Sequence, residues 1–263
     1  MKRLPSIHEI ALKFANVDCT REPIPVVPTI HYQMGGIPTN IHGQVIAPRD
    51  GDDRAVVEGF YAVGECSCVS VHGANRLGTN SLLDILVFGR RAGKRMAADL
   101  GELPSPAADP EAEASVPGMV SSLLSGTDGE RPAVIRTELQ EVMFSKCGVY
   151  RTEELLTEAR DAVASLKARA RTLRVDDRGC RYNTDLTDAL ELGFLLDSAE
   201  ATVASALART ESRGGHARED FPERDDGNWL KHTFVSRSPG TGEIALDYKP
   251  VVITKFEPKP RVY

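Results

Sequence analysis

The sequence predicts an α/β segment followed by a helical domain and a small C-terminal α+β domain. A short, wholly apolar run, Phe60-Tyr61-Ala62-Val63, leads through a glycine-bearing loop into a helical pattern at 81–100, which is how a buried strand feeds a helix in an α/β fold. Residues 102–118 then collect Pro104, Pro106, Pro110 and Pro117 among alanines and acids, the chemistry of a linker. Beyond it, three long patterns each carry a single apolar stripe, which three helices packed together would satisfy.

Taken in order, residues 1–30 read as the tail of another structure. A short amphipathic segment (Ile7, Ile10, Ala11, Phe14) runs into Pro23, Pro25 and Pro28, which favour extended chain. From Tyr32 to Gly64 the pattern is strand and turn, with Val45-Ile46 and Val56-Val57 as a hairpin. The helix at 81–100 has Thr79, Asn80 and Ser81 available as caps and Gly101 beyond its end. Its first turns are apolar nearly all round, which predicts burial, with Gly89 and Gly93 allowing a close backbone approach. The three helical patterns cover about 132–146, 152–173 and 184–209. From Ser212 the chain is polar and irregular. It then alternates through Lys231–Ser236 and Ile244–Tyr248 around Pro239-Gly240-Thr241-Gly242, a hairpin pattern.

Composition excludes several classes. With 41% hydrophobic and 27% charged residues the 263-residue chain is that of a globular protein, and no apolar run reaches the length of a bilayer span. A net charge of -6, with no basic stripe interleaved with aromatics, argues against nucleic acid. Five cysteines (Cys19, Cys66, Cys68, Cys147, Cys180) form no disulfide framework, and the Cys66/Cys68 pair lacks further ligands at metal-site spacing. No metal site is expected.

The chemistry concentrates between Gly64 and Ser81, where a strand end meets a helix start. Ligands of open α/β sheets sit at such junctions, near the unpaired N–H groups of a helix N-terminus. There Glu65 can accept hydrogen bonds from ligand hydroxyls, and Arg76 can hold a carboxylate through two parallel bonds. The same spacing also suits an ordinary loop with a surface ion pair. His42 and His72 read as structural residues.

The segments His31-Tyr32-Gln33-Met34-Gly35-Gly36-Ile37-Pro38-Thr39-Asn40, Tyr61–Glu65 and Ser70-Val71-His72-Gly73-Ala74-Asn75-Arg76-Leu77-Gly78 closely resemble the succinate dehydrogenase and fumarate reductase flavoproteins. Asn80–Asp84, Ser212–Asp226 and Asn228–Thr233 continue the resemblance in family order, down to Pro260-Arg261-Val262-Tyr263. The resemblance implies the C-terminal part of a Rossmann-like FAD-binding domain (31–103), preceded by the tail of a capping domain (1–30). A linker (104–118), a three-helix domain (119–210) and a small C-terminal domain (211–263) would follow.

By resemblance, His31 and Arg76 hold substrate carboxylates, and Thr79 contacts substrate through its backbone. Glu65 binds a hydroxyl of the FAD chain, and Ser81 and Leu82 flank the isoalloxazine ring at the helix start. Succinate would be oxidised to fumarate by hydride transfer to FAD. Electrons would pass to an iron–sulfur subunit held by membrane anchor subunits, on the cytoplasmic face of a bacterial inner membrane or the matrix face of a mitochondrion. The G-x-G-x-x-G pyrophosphate turn does not occur in these residues. The family's covalent-flavin histidine and proton-relay arginine likewise have no counterpart here, so this sequence is expected to be the C-terminal portion and to hold no catalytic proton-transfer residue. Fumarate reductase, L-aspartate oxidase and a non-catalytic remnant that binds a partner through its helices are the other readings. His216 and Arg218 are expected to serve the fold or a subunit contact.

Overall fold

The main apolar core forms where the sequence carries its longest helical stripes. In α4 (Pro132–Lys146), α5 (Glu153–Arg169) and α6 (Thr184–Ala208) the buried residues recur at three- and four-residue spacing. Ile135 and Leu139 of α4 meet Leu156, Ala159, Val163 and Leu166 of α5 and Leu192, Leu196, Ala199 and Val203 of α6 in one cluster. Local chemistry sets the helix starts. Thr152 accepts from the Leu155 amide at 3.2 Å and Asn183 from the Leu186 amide at 2.8 Å, while Pro132 opens α4 at a position whose N–H would be unpaired in any case.

This computed structural model describes residues 4–27, 30–103, 107, 109–179, 181–238 and 241–259, with Ala112 described by its backbone alone. Pro28, Pro104, Pro106, Cys180, Pro239, Gly240 and Pro260–Tyr263 lie outside the described residues. The chain divides into two units, Met1–His31 and Tyr32–Tyr263. In the first, α1 (Pro5–Ile10) runs into a π-helical turn, Ala11–Ala15, that ends at Asn16 in the left-handed region.

In the second unit the strands are short. β1 (Ile37–Pro38) pairs parallel with β4 (Ser67–Cys68), and β2 (Gln44–Ile46) pairs antiparallel with β3 (Val56–Tyr61), where the sequence places a hairpin. β5 (Tyr150–Arg151) pairs parallel with β6 (Ala217–Arg218), and β7 (Lys231–Arg237) pairs antiparallel with β8 (Ile244–Pro250). Among the described residues these make four two-stranded sheets, so no wide doubly wound sheet is present. α2 (Asn80–Asp99) follows β4, and α7 (Asp226–Trp229) is a single turn capped by Asp225.

Several expectations change. The run at 60–63 is not a buried strand throughout, since Phe60 is 51% exposed on a two-stranded ribbon and the strand ends at Tyr61. The start of α2 is not buried either: Leu82, Leu83 and Leu86 are 64%, 58% and 70% exposed. The close approach expected at Gly89 and Gly93 occurs instead at Gly43, where an added Cβ would lie 2.7 Å from Ala92 Cβ. Residues 110–118 are not linker. They open α3 (Pro110–Ser125), started by Pro110 and by Asp109, which accepts from the Glu111 amide at 3.0 Å, and the helix continues through Pro117. Leu123 and Leu124 of α3 pack on the helical core, making it a set of four helices.

The C-terminal module is anchored to α6 by buried charge. Arg218, 1% exposed, binds both oxygens of Asp220 at 2.7 Å and donates to the Ala206, Leu207 and Arg209 carbonyls at 3.2–3.3 Å. Those carbonyls end α6 and have no partner further along the helix. Glu211, fully buried, accepts from Arg209, Arg213 and the Asp225 amide.

His216 completes this anchor in its neutral form. Its Nε2–H donates to the Arg209 carbonyl at 3.1 Å, which leaves Nδ1 to accept from the Arg151 guanidinium at 2.8 Å. Burial, reinforced by the charge of Arg151, pushes its pKa down to about 4, against the pull of the Arg209 carbonyl. Between the unfolded value of about 6.5 and that value the unfolded chain binds a proton that the folded chain refuses. Stability is therefore full above about pH 6.5, falls as pH drops toward about 4, and levels off below. The slope from this group reaches at most about 1.4 kcal/mol per pH unit. His232 is shifted the same way, by burial first and then by Lys249, so it adds to the trend. Urea unfolding of the chain at pH 7 and pH 4.5 should show a smaller pH effect in His216→Gln than in wild type; equal effects would remove His216 from the account.

Candidate functional site

The site forms where the β4 end, the loop 69–79 and the start of α2 converge. Strand pairing sets the frame: Ile37 N–H donates to the Cys66 carbonyl at 2.9 Å and Thr39 N–H to the Cys68 carbonyl at 3.1 Å, fixing the chain after Tyr32 beside the loop. Glu65 then reaches back and accepts the Gln33 amide at 2.9 Å, with the rest of its carboxylate exposed.

Arg76 lies at the centre of this junction. Its guanidinium carbon sits 4.7 Å from the centroid of the Tyr32 ring, and NH1 is 3.5 Å from Ser81 Oγ, at the edge of hydrogen-bond reach. Among the described residues no carboxylate forms an ion pair with it, and its buried Nε has no hydrogen-bond partner. A guanidinium in that state has donors to spare for an anionic ligand.

Behind it, the Tyr32 hydroxyl lies 3.2 Å from His72 Nε2, which is 3.2 Å from Asp84 Oδ2. The His72 and Asp84 side chains are 9% and 2% exposed, and the Tyr32 and His72 rings meet edge to face at 5.1 Å. Burial, and after it the Asp84 charge, pushes the Tyr32 phenol up, so the hydroxyl keeps its proton. His72 is thus held between Tyr32 and Asp84.

The C-terminal module braces the same loop. Gly215 N–H donates to the Ala74 carbonyl at 2.8 Å, and His232 Nε2 lies 3.3 Å from Ser70 Oγ. At Gly214, φ is +59° and an added Cβ would stand 2.3 Å from the Ala74 oxygen, so only glycine fits against the loop. Sequence reasoning left the role of this module open. The block 212–226 was marked by resemblance, with His216 and Arg218 expected to serve the fold or a subunit contact, but nothing in it placed Gly214 and Gly215 against Ala74.

The structure thus brings Glu65, Arg76, Thr79, Ser81 and Leu82 to one junction, while His31 closes the first unit and is exposed. Thr79, Asn80 and Ser81 do not cap α2 through their side chains. Thr79 stands at the cap position with φ +67°, and its hydroxyl donates to the Gly78 carbonyl at 2.6 Å. At the helix entrance the Asn80 and Leu82 amides donate to the Leu77 and Thr79 carbonyls at 3.0 and 3.1 Å, while no side chain caps the turn and the positive end of the helix faces the loop. Leu82, Leu83 and Leu86 present an exposed apolar wall beside that entrance. An exposed carboxylate, an uncapped helix start and an apolar wall fit the hydroxyl chain and the ring edge of a flavin.

Comparison with known proteins now decides the family. Residues 136–263 match the model for the fumarate reductase flavoprotein C-terminal domain, and residues 1–82 match the FAD binding domain. The chain is 46% identical to the succinate dehydrogenase flavoprotein subunit of Rickettsia felis, over 99% of this chain and 45% of that protein. The chain belongs to the succinate dehydrogenase and fumarate reductase flavoprotein family.

The fumarate reductase flavoprotein subunit of Escherichia coli K12 is 43% identical over all of this chain and 42% of its own length. A solved chain of E. coli quinol fumarate reductase superposes with a TM-score of 0.86 at 43% identity, covering 100% of this chain and 44% of that one. The chain therefore spans less than half the length of these family members. Its fold is that of an FAD-binding part with a helical domain, and FAD is the cofactor of the family. Among the described residues no helix is long and apolar enough to cross a membrane, and no group of His, Cys, Asp and Glu could hold a metal ion.

Proposed function

We propose that this chain is the C-terminal part of a succinate dehydrogenase flavoprotein and supplies one wall of its dicarboxylate and flavin site. The observation that carries this reading is Arg76, a guanidinium without a carboxylate partner among the described residues, seated on an aromatic face beside a helix start that no side chain caps. Arg76 clamps one carboxylate of succinate with the Thr79 backbone lining that space, and His31 is assigned, by resemblance, to a substrate carboxylate. Glu65 accepts a ribityl hydroxyl, and the helix start at Ser81 and Leu82 lies beside the flavin ring, where the positive end of α2 favours negative charge on the flavin edge.

FAD, when bound, supplies the hydride acceptor. Oxidation of succinate to fumarate releases a hydride and a proton, and the base for that proton is none of the residues assigned here. Electrons then pass to an iron–sulfur subunit. Anchor subunits hold the assembly peripherally at the cytoplasmic face of a bacterial inner membrane, or the matrix face of a mitochondrion. The division into a capping tail, an FAD-binding segment, a helical domain and a C-terminal module belongs to the same reading. Fumarate reductase is the second reading, favoured by the name of the C-terminal family model and by the E. coli relative. The two share the site and differ in the direction of electron flow.

The test separates cofactor from substrate in a complete flavoprotein containing this segment. Glu65→Ala should lower bound flavin, read by absorbance after gel filtration, while His31→Ala should keep flavin and weaken succinate turnover. The reverse pattern, with flavin lost from His31→Ala and retained by Glu65→Ala, would overturn the assignment. The 263-residue chain alone, which has no G-x-G-x-x-G turn, should elute colourless.

A further inference from the structure

A cation placed near a buried carboxylate ordinarily pairs with it, and a guanidinium so paired offers few donors to a ligand. Asp84 is such a carboxylate, 2% exposed, on the first turns of α2 and in the same cluster as Arg76. It does not take Arg76. It is engaged instead by His72, 3.2 Å away, and His72 in turn lies 3.2 Å from the Tyr32 hydroxyl. Tyr32 offers Arg76 its ring face at 4.7 Å.

An aromatic face attracts a guanidinium lying over it while leaving the in-plane N–H groups free. A carboxylate partner would occupy those same N–H groups. The pairing seen here holds the cation and keeps its hydrogen-bonding edge open.

From this arrangement we propose that Tyr32, His72 and Asp84 form a positioning relay for Arg76: Asp84 holds His72, His72 sets the Tyr32 ring, and the ring holds the guanidinium open for a dicarboxylate. The inference rests on Arg76 being the carboxylate clamp. The three partners come from separate pieces of chain: Tyr32 precedes β1, His72 lies in the loop after β4, and Asp84 lies on α2. Their connection therefore also sets the loop against the helix that carries Ser81. Both contacts converge on His72 Nε2, and the Asp84 carboxylate also acts on the Tyr32 hydroxyl directly, while Asp84 Oδ1 and His72 Nδ1 have no partner among the described residues.

The experiment uses a complete flavoprotein carrying this segment, with malonate as the dicarboxylate probe, titrated by calorimetry so that binding is read apart from turnover. Tyr32→Phe keeps the ring face but cuts its hydrogen bond to His72 and should bind malonate more weakly than wild type yet more tightly than Tyr32→Leu, which loses the face and should bind roughly twofold to thirtyfold more weakly than wild type. Flavin content should be unchanged in both. In an Arg76→Ala background Tyr32→Leu should add no further loss, because the group it holds is gone. Asp84→Asn, which keeps the shape and removes the charge that holds His72, should weaken malonate binding at wild-type flavin content. It decides the matter if Tyr32→Leu fails to retain flavin.

Equal affinities for Tyr32→Leu and wild type, or full additivity with Arg76→Ala, would overturn the relay. If Asp84→Asn has to decide, unchanged malonate affinity in that variant would do the same. Should Arg76→Ala itself bind malonate as wild type does, the failure lies in the carboxylate clamp and takes the relay with it.

Discussion

Replacing Arg76 with lysine in a complete flavoprotein is expected to lower catalytic efficiency with succinate about tenfold to hundredfold while flavin content stays at the wild-type level. A carboxylate leaving water needs strong compensating donors, and a guanidinium supplies two aligned charge-assisted bonds. Lysine keeps the charge as a single point and cannot lie flat on the Tyr32 ring, so both the fork and the seat are lost. A hydrogen bond to a charged group contributes about 1.5–3 kcal/mol, which sets the range for one lost bond. Arg76→Ala should be worse, since the charge goes as well. Flavin absorbance and succinate turnover are to be measured on the same preparation. Wild-type efficiency in Arg76→Ala, or a defect confined to lost flavin, would mean that the loop is not the carboxylate clamp.

Arg218→Ala is expected to destabilise the chain by about 3–5 kcal/mol, since each buried carbonyl left without a donor costs about 1–3 kcal/mol. The loss is large because one side chain serves two tasks. Its guanidinium neutralises Asp220, whose carboxyl it draws down to about 2, and it satisfies three carbonyls at the end of α6. Without it those carbonyls lose their donor at a position that is 1% exposed, while Asp220, itself exposed, can turn to water. For a chain of this size that corresponds to a fall in Tm of about 6–20 °C, read by calorimetry at pH 7. Arg160→Ala is the control. Its pair with Asp161 is exposed on both sides, so its Tm should stay within about 2 °C of wild type. Parity between the two variants would show that Arg218 is not the anchor of the C-terminal module.

Helices whose stability comes from one apolar stripe were legible from the sequence, because periodicity at 3.6 residues survives whatever the stripe packs against. The patterns ending near 146 and 209 became α4 and α6 within a residue or two, and the pattern beginning at 152 became α5. The residues gathered at the loop were legible for a different reason: strand end, glycine-bearing loop and helix start are contiguous in the chain. Nothing in the sequence, by contrast, marked 110–118 as helix, since proline and alanine there suit a linker as well as a first turn. Exposure of Leu82 and Leu86 could not be read either, because burial depends on what surrounds a helix and hydrophobicity reports only the tendency.

The sequence by itself determined the family and marked the junction of strand and helix, with Arg76 and Glu65 in it, as the candidate site. Those rest on local chemistry and contiguous segments, which need no knowledge of distant contacts. Only the tertiary structure decided that Asp84 pairs with His72 and not with Arg76, and that Gly214 stands against Ala74 from 140 residues away along the chain. Both depend on which backbones meet. A carboxylate and a glycine look alike in sequence whether they brace a loop or face water, and the neighbours that folding brings to them make the difference.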